Sequence, residues 1–456
     1  MPTCDLAVTR ITRWAAALLA LAVAAAVSGP AQAQVNQGIQ RAVGGVSINA
    51  DGVLTNANVD AQGELQRARA EAFSKVPQGM KRSSGMRMVS LARLEAAFRK
   101  CADEGKDLPE SIQVLAGLQQ IRYVFVYPRK KDIVLAGPGE GWKVDPRGNI
   151  VGVTTGRPVM LLDDLRVALR TASAPVRTPI SCSIDPTAEG MVRVGRLAKK
   201  LSVPGANPQA AAAAIEQALG PQQISFHGVP ETSHFARVLV AADYRMKRVS
   251  MELEPAPIQG LPSFLQMMKG GGAGMRNMLP RWWLAPNYDP MLRDADGLAW
   301  ELRGGVKAMA ESDFFNSQGT REKTVQADPF AQRWADTMTR RYDDLALAEP
   351  VFGQLRNCMD LAIVGALVAK ENLTGKAGCS LPLLTDQGAL KTLEFPAPKQ
   401  IDSKASLVKK GRAWSIAAGG VEINPWAVVE KTEQSDKLAA VRTKADTNDD
   451  AAWWWD

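Results

Sequence analysis

Imidazole chemistry in this chain is confined to His227 and His234, and both stand in one short string, HGVPETSH. Such a pair is a candidate metal or acid/base site. The spacing argues against a metal: there is no H-E-x-x-H, no C-x-x-C, and no thiol or carboxylate at ligand distance in sequence. No metal and no cofactor is therefore expected. If SHFARVLVAADYRM is helical, His234 and Asp243 lie about nine steps of 100° apart, on opposite faces, and cannot pair within that helix. His234 and Arg245 share a face, which suits a polar or anion-facing patch. His234, Arg237, Asp243 and Arg245 are the set a hydrolase would draw on; capping or hydrogen bonding by His234 is the plainer alternative.

Other motifs are weaker. AGPGEGW lacks the G-x-x-x-x-G-K-[ST] pattern of a phosphate loop and reads as a turn. Ser406-Leu407-Val408-Lys409 matches S-x-x-K without the supporting motifs, and no G-x-S-x-G is present. Asp163-Asp164 and Asp343-Asp344 are adjacent, so on a helix they diverge by about 100° and read as helix-start and solvated charges. Asp360 is different, because it interrupts an apolar helix: a buried carboxylate needs a partner or a raised pKa, and Arg356, four residues earlier, is the nearest candidate. Trp282, Trp283 and Tyr288 could offer stacking surface to a glycan or peptide, with a core strand as the competing reading. Trp453, Trp454 and Trp455 stand in a polar tail, where they could dock on a partner.

The elements that must position these groups follow from periodicity and punctuation. GGVSINADGVLTN predicts a hairpin about Asp51-Gly52, and a helix is expected over 61–76. SLARLEAAFRKC carries Leu91, Leu94, Phe98 and Cys101 at helical spacing. RYVFVYP and DIVLAGP read as strands, and GWKVDPRGNIVGV as a pair across Arg147-Gly148-Asn149. Alternation follows: strand TPISCSID, helix TAEGMVRVGRLAKKL, helix PQAAAAAIEQAL, strand QISFHGV, helix SHFARVLVAADYRM, strand RVSMELE. RWWLAPNYDPMLRDADGLAWELRGGVKAMAES reads as a strand meander. Asp328-Pro329 starts a helix with Phe330, Trp334, Met338, Tyr342 and Leu345 as its apolar stripe. VFGQLRNCMDLAIVGALVAK completes a buried helical pair, and its charges argue against a membrane span. The fold class is α+β, with mixed small sheets, packed helices and that C-terminal pair. Divisions are expected at 1–33 (signal peptide), 34–160 (N-terminal α+β domain), 161–256 (alternating α/β domain), 257–280 (flexible Met/Gly-rich loop), 281–425 (strand meander with helical pair) and 426–456 (disordered tail). GGVSIN near the start echoes GGVEIN near the end, which would suit two similar edge strands.

The first thirty-three residues resemble an export signal: Arg10 and Arg13, the apolar run Trp14 to Val27, then Ala31-Gln32-Ala33 at a cleavage site. Periplasmic or secreted localisation follows, with no membrane span after cleavage. The formal charge of +8 on 456 residues is dispersed, and with export it argues against nucleic-acid binding. Four cysteines remain after cleavage, permitting two bridges. Cys358 with Cys379 is the favoured pair, because they bracket one helix and its exit; Cys101 with Cys182 is second, and buried free thiols are the alternative.

Several strings in order, LAGLQQIRYVFVYP, DIVLAGPGEGW, GRPVMLLDDLRVALR, ISCSIDPTAEG, HGVPETSHFARVLVAADYRMKR, LPRWWLAPNYD, AEPVFGQLRNCMDLAIVGALV and GGVEINP, resemble an uncharacterised family of exported bacterial proteins, domain of unknown function 1598. The resemblance runs from about Val43 to Pro425 and implies no activity or site. Function is therefore read as non-catalytic binding or scaffolding in the cell envelope, with an envelope protein or polymer as partner. A hydrolase of envelope material using the His234 region is the alternative. Intact mass of the exported product is expected to correspond to a chain beginning at Gln34; a membrane-embedded product retaining residues 1–33 would contradict the signal reading.

Overall fold

Asp51 and Gly52 close the first hairpin as their types require. Gly52 adopts a φ of +77°, and the Asn49 side chain accepts from the amides of Asp51 and Val53 at 3.0 and 2.9 Å. The hairpin pairs β1 (Val46–Ile48) with β2 (Val53–Asn56). In this computed structural model the described residues are 43–456 except 44, 50, 57–66, 68, 69, 72, 74, 202–206, 270–277, 316–320, 325, 326, 387–393, 409–412 and 447–451. The signal segment and most of the helix expected over 61–76 lie outside the described residues, as does Lys409 of the S-x-x-K string.

The next elements are β3 (Ser84–Ser90), α1 (Leu91–Asp103), β4 (Tyr123–Tyr127), β5 (Asp132–Gly139), β6 (Trp142–Val144), β7 (Ile150–Gly152), α2 (Leu162–Ala172) and β8 (Ile180–Pro186). Then come α3 (Ala188–Leu201), α4 (Pro208–Leu219), β9 (Gln222–His227), α5 (His234–Ser250) and α6 (Phe264–Lys269). The strand expected at RVSMELE is absent: α5 runs through Ser250. Val249 stands three residues beyond Met246 on the buried face, and Lys247 and Arg248 complement the carbonyl end of the helix. The loop expected over 257–280 contains α6, whose Phe264, Leu265 and Met268 are buried. Apolar spacing within the Met-rich string outweighed its flanking glycines.

The strands of the meander are β10 (Met278–Tyr288), β11 (Met291–Arg293), β12 (Ala299–Glu301), β13 (Gly304–Phe315) and β14 (Arg321–Thr324). The helices α7 (Pro329–Arg340), α8 (Tyr342–Ala348) and α9 (Pro350–Lys370) follow. Asp328 caps α7 by accepting from the amides of Phe330 and Ala331, as expected of Asp before Pro. α9 is long and apolar enough to cross a membrane, yet 94% of its most apolar stretch is buried inside the fold. It packs on α2, on α5 and on a later helix at 425–429.

After α10 (Leu373–Ala377) come β15 (Gln400–Ile401), β16 (Ser406–Val408), β17 (Ala413–Ser415), β18 (Ala418–Ile423), α11 (Pro425–Val429), β19 (Thr432–Gln434), α12 (Lys437–Ala445) and β20 (Trp454–Trp455). Among the described residues the largest sheet runs β1-β2-β15-β9-β8-β18-β10-β13-β14, with β16 and β17 attached; a second runs β19-β11-β12-β4-β5-β3-β20, and β6 and β7 form a separate pair. The two large sheets draw strands from both halves of the sequence. The α+β class holds, but the divisions expected at 160, 256 and 280 do not mark separate bodies, since Ala42–Asp456 forms one compact unit.

Two further expectations change. The GGVSIN and GGVEIN strings are not equivalent, because β1 is an edge strand and β18 lies inside the sheet between β8 and β10. The glycines of β18 allow that position: Gly419 has φ +108°, a Cβ on it would meet the Trp282 carbonyl oxygen at 2.0 Å, and one on Gly420 would meet that of Cys182 at 1.8 Å. The described residues after 426 do not form the expected disordered tail. Leu438 and Ala445 of α12 are buried, β19 pairs with β11, and β20 pairs with β3. A few anchors hold the segment, although its average composition is polar.

Candidate functional site

Helix α5 carries most of the candidate residues. Ser233 caps it, accepting from the Ala236 amide at 3.1 Å, so His234 is the first helical residue. Its Nδ1 lies 3.0 and 2.9 Å from the two carboxylate oxygens of Asp164 on α2. The ring is flanked by Phe395 at a centroid distance of 5.9 Å. This carboxylate–imidazole pair has the orientation a general base needs. His234 and Asp164 line a crevice with Ile150, Val159, Leu161, Gln354 and Asn357. Its 20 Å³ is room for about one water molecule, and neither serine, threonine nor cysteine lines it.

Asp164 was missed as a site residue. Asp163 behaves as a helix-start charge and meets Arg166 at 3.3 Å, but Asp164 turns inward and is 5% exposed. Its partner is 70 residues away, and no local pattern announces such a pairing. Arg237, one turn after His234, is fully buried. Burial lowers its pKa to about 10, and its guanidinium carbon is 5.7 Å from the Phe395 ring centroid.

Asp243 lies on the far side of α5 from His234, as the helical angle required, and is fully buried. It accepts from Lys247 Nζ at 2.7 Å. Lys247 also donates to the carbonyls of Ile184 in β8 at 3.1 Å and Gly419 in β18 at 3.0 Å. Burial pushes the Asp243 carboxyl up to about 7, against the pull of the Lys247 ammonium. Arg245 turns elsewhere, to Glu254 and to Glu349 at 3.6 Å. Asp243 and Arg245 thus turn to networks away from His234, whereas Arg237 shares the Phe395 ring with it, and the four residues proposed from sequence do not all meet at one centre.

Of the aromatic candidates, Trp282 is a core residue and Tyr288 packs against the core, while Trp283 is outside it. Trp282 is fully buried, with Phe264 and Trp334 packed on it at centroid distances of 5.3 and 5.0 Å. Trp283 is half-buried under Arg281. Tyr288 donates its hydroxyl to Asp360, which also accepts from the Ile121 amide at 3.3 Å. The Arg356–Asp360 pair expected within α9 does not form: Arg356 meets Asp343 at 3.2 Å. Burial raises the Asp360 carboxyl to about 6, opposed by the Tyr288 hydrogen bond.

The favoured disulfide is also absent. Cys101, Cys182, Cys358 and Cys379 are free thiols. Cys358 sits twelve residues before the end of α9, a rise of roughly 18 Å, while Cys379 follows α10, which packs on β4 and β5. The helix separates the residues that it was expected to bracket. Among the described residues, no group of three His, Cys, Asp or Glu could hold a metal ion.

A larger opening, of 120 Å³, lies at the other end of α5. Leu54, Met251, Leu253 and Ile401 supply an apolar wall, and Arg248 and Lys404 stand among its polar groups.

The Asp360 site has a definite pH signature. With its native carboxyl raised to about 6 from an ordinary 3.8, the native state keeps a proton between roughly pH 4 and 6 that the unfolded chain has released. This group's contribution therefore favours the fold on the acid side, and stability falls as pH rises through that window. Asp360→Asn is expected to flatten that part of a pH series of denaturant unfolding curves; an unchanged slope would show that the group is not the source.

Residues 182–264 match the family described as protein of unknown function DUF1598, a stretch that includes His234, Arg237, Asp243 and Lys247. No curated protein and no solved structure matches the chain.

Proposed function

We propose that this is an exported, non-catalytic binding or scaffold protein of the cell envelope, which holds a small amphipathic ligand or polymer end in the 120 Å³ cleft beside the C-terminal half of α5. The observation that carries this reading is the dispersal of the reactive candidates. Asp243 and Lys247 are consumed in tying α5 to the sheet, Arg245 in an acidic network, and Trp282 in the core. The cleft, which Lys247 also lines, combines apolar side chains with polar heads, the composition of a ligand site.

Hydrolysis is the second reading, favoured by one observation: Asp164 holds His234 as a general base is held. The two ends of α5 allow them to be separated. Titration of the mature protein with dodecanoate is expected to show saturable binding, weakened at least about tenfold by Met251→Trp, whose larger side chain narrows the cleft. His234→Ala should leave it within about twofold. Release of p-nitrophenol from p-nitrophenyl acetate that is lost in His234→Ala, with no saturable dodecanoate binding, would overturn the proposal in favour of the hydrolase.

A further inference from the structure

The last described segment, residues 452–456, lies on β3 as a peptide lies on a receptor. β20 is antiparallel to β3, with Trp454 opposite Val89 and Trp455 opposite Met88. The Ser90 amide donates to the Trp453 carbonyl at 2.9 Å, and Arg93 donates to that of Ala452 at 3.0 Å. Arg87 then reads the acidic end. Its Nε and Nη2 donate to the two carboxylate oxygens of Asp456 at 2.8 and 2.9 Å, the two-pronged geometry by which arginine selects a carboxylate.

The receiving side is built in advance. Arg87 is fully buried, and three backbone carbonyls hold its guanidinium: Met80 at 3.1 Å, Ala116 at 2.9 Å and Arg82 at 2.7 Å. They orient the fork without help from Asp456, and a preoriented fork loses little freedom when a carboxylate arrives. Trp454 stacks by Arg87 at 5.5 Å and rests on Gly79, where a Cβ would come within 3.0 Å of its ring. The occupying segment is short and peripheral: β20 has two residues, both half-buried, and the Asp456 side chain keeps 30% exposure.

We propose that the edge of β3, with Arg87 and the floor at Gly79, is a peptide-docking site that the chain's own residues 452–456 occupy in cis. The partner it fits is an extended segment carrying two adjacent aromatic residues followed by an acidic one. Main-chain pairing with β3 would supply affinity, and the stacking position and carboxylate fork would supply selectivity.

The test uses the full mature chain and a fluorescein-labelled peptide of sequence Ala-Trp-Trp-Trp-Asp, followed by fluorescence anisotropy. Asp456→Ala weakens the cis occupant and is expected to bind the peptide at least about tenfold more tightly than the unaltered chain. Replacing the peptide's Asp by Asn should cost about tenfold on the same variant. Asp456→Asn, which conserves side-chain size, provides the same comparison if the alanine variant is poorly folded. Absence of saturable binding to either folded variant, or equal binding of the Asp and Asn peptides, would overturn the proposal. Concentration-dependent dimerisation of the unaltered chain that is lost in Asp456→Ala would replace it with strand exchange between two copies.

Discussion

A single buried ammonium fastens the central helix to the central strands. Lys247 Nζ has three hydrogens to donate, and the fold supplies three acceptors: the Asp243 carboxylate, the Ile184 carbonyl of β8 and the Gly419 carbonyl of β18. Desolvating an ammonium costs several kcal/mol unless it is fully paired, so this position tolerates little displacement of α5 relative to either strand. The glycines of β18 belong to the same arrangement. Side chains at Gly419 or Gly420 would collide with the backbones of Trp282 and Cys182 and move the carbonyl that Lys247 requires.

This constraint fixes both ends of α5. Toward the N-terminus it sets His234 against Asp164, beside a crevice with room for about one water molecule. Toward the C-terminus it holds Tyr244, Arg248 and Met251 around the cleft. Asp243 and Lys247 on α5 are therefore structural, with the 120 Å³ opening beside them. A helix carrying histidine, aspartate and three arginines looks catalytic in one dimension. In three dimensions Asp243, Arg245 and Arg248 turn to partners other than those of His234 and Arg237.

Much of the secondary structure was legible because it depends on local chemistry. The Asp51-Gly52 turn, the Asp328-Pro329 start and the apolar stripes of α1 and α7 carry their own signals. The His234–Asp243 angle excluded a pair correctly for the same reason. What was not legible depends on distant partners: Asp164 with His234, Tyr288 with Asp360, and Arg87 with Asp456. Composition also misled, since a polar average after Trp426 hid two buried anchors and a carboxylate clamp. The Cys358–Cys379 expectation treated sequence proximity as spatial proximity, which a straight helix does not grant.

The role of Lys247 can be tested directly by a double-mutant cycle in which Lys247→Met, Asp243→Asn and the double variant are unfolded by denaturant at neutral pH. Lys247→Met alone should cost roughly 3–5 kcal/mol, the usual result of leaving a buried charge without its partner. The double variant should be less destabilised than the sum of the two single variants. Additive effects, or a Lys247→Met protein as stable as the unaltered chain, would mean that α5 is held to β8 and β18 by apolar packing and that the buried ammonium is incidental.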